Sequence, residues 1–410
     1  MRGELTTLPL EDCLDALIDY RGKTPRKVAA GIPLITAKVV KSGRIETPDE
    51  FIAEEDYEAW MTRGRPEIGD VVLTTEAPLG EVAQVKFLPI ALAQRIVTLR
   101  GKQDVLDSGY LLYLLQSDEM QAKLVGRSTG TTVVGIKQSE LRKVEVSLPP
   151  IEEQRAIARI LGTLDDKIEL NRRTNATLEA MARALFKSWF VDFDGVAEGQ
   201  MVESELGSIP NGWRVGSIAD AVEIIGGGTP KTSVGEYWDG EIPWFSVVDT
   251  PAGSDVFVVE TEKSITEAGL NGSAVRLIEK GTTIISARGT VGNLAIAGRD
   301  MTFNQSCYAL KGKNGAGDYF VYLSAQRMVE QLKSMAHGSV FSTITRQTFD
   351  AIRIVLPPDS TFPRFEAKAS LLFDLILANV NQSRTLGALR DALLPKLLRG
   401  ELRVNDRGMG

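Results

Sequence analysis

Between Ile151 and Phe190 apolar side chains recur at alternating steps of four and three. The positions are Ile157, Leu161, Leu164, Ile168, then Asn171 and Asn175, then Leu178, Ala182, Leu185 and Trp189. A seven-residue repeat held over that length without a proline predicts one long coiled-coil helix. The seam returns 208 residues later as Phe365, Ala369, Leu372, Ile376, Asn379, Ser383, Leu386, Arg390, Leu393 and Leu397. Asn171/Asn379 and Asn175/Ser383 are polar in both copies and lie at the middle of each. A buried amide in an apolar seam penalises every register except the one that pairs it. Antiparallel packing, centre on centre, sets Asn175 against Asn379 and Asn171 against Ser383. Pro395 stands where the first copy has Lys187, which predicts a kink or an end to regular hydrogen bonding there.

Outside the seams the pattern shortens. Strand-like runs at residues 71–73, 79–83, 96–99 and 144–148 are punctuated by Gly and Pro, and a leucine-rich stretch predicts a helix over 108–125. The repeat continues through them. Gly130, Ile136, Leu141, Val144, Val146, Leu148 and Pro149-Pro150 answer to Gly338, Ile344, Phe349, Ile352, Ile354, Leu356 and Pro357-Pro358 without a gap. Gly69, Val72, Leu73 and Gly80 answer to Gly281, Ile284, Ile285 and Gly292, and Thr24-Pro25 to Thr229-Pro230. The expected fold is therefore α+β: two tandem α/β domains separated by two long helices that form an antiparallel coiled coil. The expected layout is a globular domain over 1–148, a spacer helix over 149–194 and a linker over 195–204. A second globular domain over 205–356, a second spacer helix over 357–400 and a polar tail over 401–410 follow.

Composition narrows the function. With 410 residues, 43% hydrophobic and 25% charged, the chain suits more than one core. No apolar run approaches the ~20 residues of a membrane span, and acids in MRGELTTLPLEDCLDAL occupy the place of a signal peptide's apolar segment, so the cytoplasm is the expected compartment. Two cysteines, Cys13 and Cys307, and one histidine, His337, leave no zinc-ligand pattern. There is no phosphate loop ending in Gly-Lys-Ser/Thr and no Gly-x-Ser-x-Gly elbow, and Asp165-Asp166 read as solvated charges on a helix. No catalytic signature remains, and the chain is expected not to be an enzyme.

Polar loops at equivalent places in the two copies are what is left. Residues 21–44 carry Arg21, Lys23, Arg26, Lys27, Lys38, Lys41 and Arg44 with no acid, and suit anion binding. The acid run that follows, from Glu46 to Glu58, offers neutralisation within the domain as the alternative. Thr24 with Lys23, Arg26 and Lys27 answers to Thr229 with Lys231. Arg288 stands where the first copy has Glu76, and Asn304-Gln305 where it has Ala93-Gln94. Thr131 through Lys137 answers to Ser339 through Arg346. Such side chains hydrogen-bond phosphates and base edges, Arg to guanine and Asn or Gln to adenine. The net charge of −7 argues against nonspecific coating of nucleic acid and leaves local faces open.

These features together resemble the specificity (S) subunits of type I restriction-modification systems, over essentially the whole chain. The resemblance rests on the tandem layout, LPPIEEQRAIARIL at 148–161, SARGTVGN at 286–293, and the series from LFKSWFVDFDG to LGSIPNGW. It implies that each globular part is a target recognition domain reading half of a bipartite, asymmetric DNA site. The helices would be conserved spacers, with Asn171, Asn175, Asn379, Ser383 and Trp189 serving register and partner docking. The implied partners are double-stranded DNA, two methyltransferase subunits and restriction-translocase subunits. S-adenosylmethionine, ATP and Mg2+ are expected on those partners, with no cofactor on this chain. The second helix departs from the family pattern: LPPDSTFPRFEA lacks the Glu153-Gln154 pair and places Pro363 in its first turns. The rival reading is a duplicated coiled-coil protein-protein scaffold with no DNA role.

Overall fold

A computed structural model describes residues 5–130, 133–251, 253–335 and 343–404. It divides into two compact units, residues 1–166 with 386–410, and residues 167–385. The long helices Ile151–Phe190 and Thr361–Leu398 therefore each contribute one part to each unit.

In the first unit an antiparallel sheet runs in the order Leu14–Asp19, Ile96–Gly101, Val71–Thr75, Leu79–Gln84. A smaller sheet pairs Ala91–Leu92 in parallel with Ile32–Ile35, followed by Phe51–Ile52 and Lys27–Val28. Thr6–Pro9 pairs with Glu145–Leu148. The second unit repeats this plan. Its main sheet runs Val222–Gly226, Cys307–Gly312, Thr283–Ser286, Leu294–Ala297. Thr302–Phe303 lies parallel to Trp238–Phe245, which continues to Lys263–Ile265, and Arg214–Ser217 pairs with Arg353–Leu356. The duplication is thus one of topology as well as of sequence. Glycine is kept where the backbone turns left-handed in both copies: Gly69 and Gly281 have φ of 96° and 94°, Gly80 and Gly292 of 97° and 87°.

Two features belong to the second unit alone among the described residues. Strand Phe257–Val258 adds in parallel to the outer edge of the main sheet, and a hairpin, Met201–Ser204 with Gly207–Pro210, follows the first long helix.

The helices are part of each core. In the first unit Ile157, Leu161 and Leu397 are buried with the sheet and helix residues around them. Gln154, 1% exposed, explains the run Ile-Glu-Glu-Gln. It donates to the Pro149 and Val105 carbonyls at 2.9 and 3.0 Å and accepts from the Asp107 amide at 3.0 Å, fastening the helix start to a loop. In the second unit the equivalent residue is Phe362, edge-on to Phe320 at 4.8 Å, so an aromatic contact replaces the amide. Phe186, Phe190, Phe320 and Phe365 continue that cluster.

The expected register is observed within the second unit. Asn379 Nδ2 donates to Asn175 Oδ1 at 2.9 Å, and Asn171 Nδ2 donates to Ser383 Oγ at 3.1 Å. Both Asn171 and Asn175 are 1% exposed, so each of these buried amides is satisfied from the facing helix and not by water. Trp189 meets Phe365 at 5.9 Å, and the crossed order of the three pairs makes the packing antiparallel.

Three expectations are corrected. The helix foreseen over 108–125 is two, Ser108–Gln116 and Asp118–Gly126, because Ser117 is extended (ψ 145°) and its hydroxyl caps the Met120 amide. The second long helix runs through Pro395 for a further turn to Leu398, where the missing N–H costs one bond near an end that is about to fray. Asp165 is not a solvated charge: it accepts from Tyr113 Oη and from Arg390, each at 2.7 Å, which accounts for an arginine in the second seam. Asp166 pairs with Lys86 at 2.7 Å. Pro363 falls in the first turn of its helix, where no amide partner is lost.

Candidate nucleic-acid interface

Because the strands of each main sheet are antiparallel, the ends of the first and third strands and the starts of the second and fourth share one sheet edge. In the second unit that edge carries Gly226 to Lys231, Ala287 to Gly292, Asn304 to Ser306, and the segment from Thr343 to Arg346. Backbone bonds tie these loops together. The Ala287 amide donates to the Ser306 carbonyl at 2.8 Å, and Ile344 N donates to Ala287 O at 3.0 Å. Arg346 Nη2 reaches the Ile224 carbonyl at 2.8 Å. A Cβ on Gly227 would lie 2.1 Å from the Asn304 carbonyl, so glycine lets this turn press against its neighbour. The close approach brings the Thr229 hydroxyl onto Gln305 Oε1.

The outcome is one polar edge holding Thr229, Lys231, Arg288, Asn304, Gln305 and Arg346. Lys231, Arg288, Gln305 and Arg346 are exposed. Arg288 makes no ion pair with any described residue, so its five donors are open to a ligand.

The first unit gathers the same edge with other side chains. Thr75 N donates to Arg95 O at 2.9 Å and Ile136 N to Thr75 O at 3.0 Å, the counterparts of the two bonds above. Arg21 Nη2 holds the Ile136 carbonyl at 2.9 Å. Gln94 and Lys137 lie here. Glu76, in place of Arg288, faces Arg95 at 3.2 Å. Arg21 belongs to the basic stretch that the sequence marks, whereas Arg95 is an addition to the residues that sequence pointed to; it follows Gln94 directly, and that adjacency was the available signal.

The basic stretch is less free than its composition suggests. Lys27 pairs with Glu50 at 2.7 Å, Lys38 with Asp49, and Lys41 and Arg44 with Glu46 at 3.5 and 3.7 Å. Those four serve the neutralisation that the acid run offered. Among the described residues the Lys23 side chain reaches the Thr62 hydroxyl at 3.5 Å and no carboxylate, and Thr24 and Arg26 are exposed. Thr131, Ser339 and His337 lie outside the described residues. The helix residues Asn171, Asn175, Asn379 and Ser383 are occupied with one another, and Trp189 is half-buried, with the Arg364 guanidinium 5.8 Å over its ring.

Both cysteines are buried and unpaired, and burial pushes the Cys307 thiol up to about 12. Among the described residues no cluster of His, Cys, Asp or Glu could hold a metal, and no helix is long and apolar enough to cross a membrane.

The family model described as the type I restriction modification DNA specificity domain matches twice, over residues 19–180 and 210–374. The chain belongs to this family. Each match of the specificity domain takes in the loops of one polar edge and runs into the long helix that follows, over residues 151–180 of the first helix and 361–374 of the second. Among curated proteins the chain is similar to the MjaIX specificity subunit of Methanocaldococcus jannaschii, at 29% identity over 92% of this chain and 88% of that one. It is also similar to the HindI specificity subunit of Haemophilus influenzae, at 26% identity over 76% and 81%. The crystal structure of a type I S subunit from M. genitalium shares the fold, with a TM-score of 0.59 at 16% identity over 97% of this chain and 96% of that one.

Proposed function

We propose that the chain is the DNA-sequence-reading subunit of a type I restriction-modification complex, each unit reading one part of a two-part target. The observation that carries this reading is the paired polar edge. The same backbone bonds hold equivalent loops in both units, while the exposed side chains on them differ, Arg288 against Glu76 and Asn304-Gln305 against Ala93-Gln94. A scaffold kept constant under variable donors and acceptors is what two readers of different sequences require. In this reading Thr229, Lys231, Arg288, Asn304, Gln305, Ser339 and Arg346 serve one half-site. Lys23, Thr24, Arg26, Gln94, Thr131 and Lys137 serve the other, and Lys27, Lys38, Lys41 and Arg44 would contribute to it only by exchanging their carboxylate partners for phosphate.

The recognition domains proper would be 1–148 and 205–356, with 149–194 and 357–400 as spacers that also dock methyltransferase subunits. The chain itself is non-catalytic and works in the cytoplasm. Adenine methylation, and cleavage where a restriction subunit is present, belong to the partners with their S-adenosylmethionine, ATP and Mg2+.

Methylome sequencing of cells carrying this chain with its methyltransferase tests the assignment. The wild type should give a bipartite motif. Arg288→Ala should relax one base position in one half, with a discrimination loss of ~1–3 kcal/mol at that position, and leave the other half unchanged. A motif unaltered by the substitution, or altered in both halves, would sink the role of Arg288.

A further inference from the structure

The duplication creates one groove twice, and the two copies are closed differently. In each unit the groove lies where the last turns of a long helix meet the helix after the main sheet and the strand before a Pro-Pro pair. In the second unit it is lined by Phe186, Phe190, Ser324, Met328 and Val355; the residues 208 positions away, Leu394, Leu398, Gln116, Met120 and Ser147, line it in the first unit. The second-unit groove encloses about 190 Å³, and Phe193 and Leu206, from the segment that leaves the first long helix, form part of its wall. That segment is held by charge, Arg353 meeting Glu205 at 2.6 Å, and by Phe193 packed edge-on to Trp213 at 5.5 Å. The first-unit groove is about 590 Å³. Its described wall on that side stops at Arg399, and Leu5 on its rim is 53% exposed.

The charge around the groove differs between the copies. Glu145, on the strand that supplies Ser147, stands in the place of Arg353, and Glu119 in that of Arg327. The cations that line the first-unit groove, Lys123 and Arg399, are paired with Glu119 and with Glu401 at 3.1 Å. Glu119 is engaged by Lys123 at 2.7 Å, while the exposed Glu145 and Asp118 carboxylates have no ion-pair partner among the described residues. The second unit thus shows what fills the groove, an aromatic and an aliphatic side chain beside an acid. The first unit keeps the apolar floor and asks for the opposite charge.

We infer that the open groove of the first unit docks a partner polypeptide segment that carries a large apolar anchor beside a basic residue. This does not rest on the DNA-reading assignment. The occupant buries its anchor on Met120, Leu394 and Leu398 and sets its cation against Glu145. The charge inversion bars the chain's own acidic linker from the wrong copy.

The test uses the full chain and two fluorescein-labelled peptides, residues 191–206 as they stand and the same peptide with Glu205→Lys, read by anisotropy. The wild type should bind the Lys peptide about tenfold more tightly than the native one, the discrimination of one charge pair. Glu145→Arg, an exposed change that leaves the core intact, should reverse the preference. Leu398→Lys should abolish binding of both. Failure to bind either peptide, or a preference that Glu145→Arg leaves in place, overturns the proposal. Binding only to a chain ending at Gly400 would mean that the groove is filled by this chain's own tail. A concentration-dependent dimer that Leu398→Lys dissolves would make the occupant a second copy; either result also overturns it.

Discussion

Glu366 shows how much a single residue can differ between two copies of one plan. It occupies the place of Ala158 and turns inward, accepting the Phe320 amide at 2.8 Å and the Tyr319 amide at 3.3 Å at the start of helix Asp318–Met335. Burial pushes its carboxyl up to about 7, against the lowering by those two amides. A carboxyl whose folded pKa lies above its unfolded value of ~4.3 favours the folded state when protonated. Its contribution is full below that unfolded value and is lost as pH rises through about 7. Thermal unfolding of the full chain should therefore show a midpoint falling between pH 5 and pH 8, and Glu366→Gln should flatten that slope. Equal slopes in the two proteins would show that this carboxyl is not the source. Nothing in the sequence marked Glu366, since its partners lie 46 and 47 residues away and its counterpart is alanine. The same distance effect hid the partner of Asp165, 225 residues off. Arg288, by contrast, stood out in the sequence because the repeat set it against Glu76, and in the structure it is exposed on the polar edge.

At the scale of elements, periodicity was the readable signal and its limits were local. A seam of five heptads gave both long helices and their register, because a mid-seam amide has few ways to be satisfied. The break at Ser117 was not visible in a leucine-rich run, since a single extended residue with a capping hydroxyl leaves the apolar spacing intact. Strand Phe257–Val258 was missed for its brevity, yet it anchors the helix centre. Asn175 Nδ2 donates to Asp255 Oδ1 at 3.0 Å, and Glu260 pairs with Arg384. Asn175 therefore serves two partners, Asp255 and Asn379. Asn175→Leu should destabilise the second unit by ~1–3 kcal/mol, because it leaves the half-buried Asn379 amide and Asp255 carboxylate without their shared partner. Adding Asn379→Leu should recover part of that loss through apolar contact, giving a coupling energy of ~0.5–3 kcal/mol in a double-mutant cycle. Additive effects in denaturant unfolding would mean that the two amides do not act as a pair.

For the whole molecule, the sequence repeat and the compact unit are different things. The repeat reads domain then helix, whereas each compact unit takes part of both helices, residues 151–166 with 386–398 in one and 167–190 with 361–385 in the other. A periodic pattern reports which residues face inward and carries no statement of which domain they face, so the exchange was out of reach until the pairs Asp165–Arg390 and Asn171–Ser383 were seen. It follows that the stretch from Asp165 to Asn171 on one helix, and from Ser383 to Arg390 on the other, passes from one core to the next. If the helices set the interval between half-sites, that stretch is where length can change without touching either core or either polar edge. Inserting one heptad there in both helices keeps the seam in phase and adds ~10 Å of rise at ~1.5 Å per residue. That is close to three base pairs of duplex, at ~3.4 Å each. Methylome sequencing of the lengthened chain with its methyltransferase should return the two half-sites unaltered, separated by about three further base pairs. Half-sites that change in sequence, or a spacer that does not lengthen, would show that the helices support the recognition domains without measuring the distance between their targets.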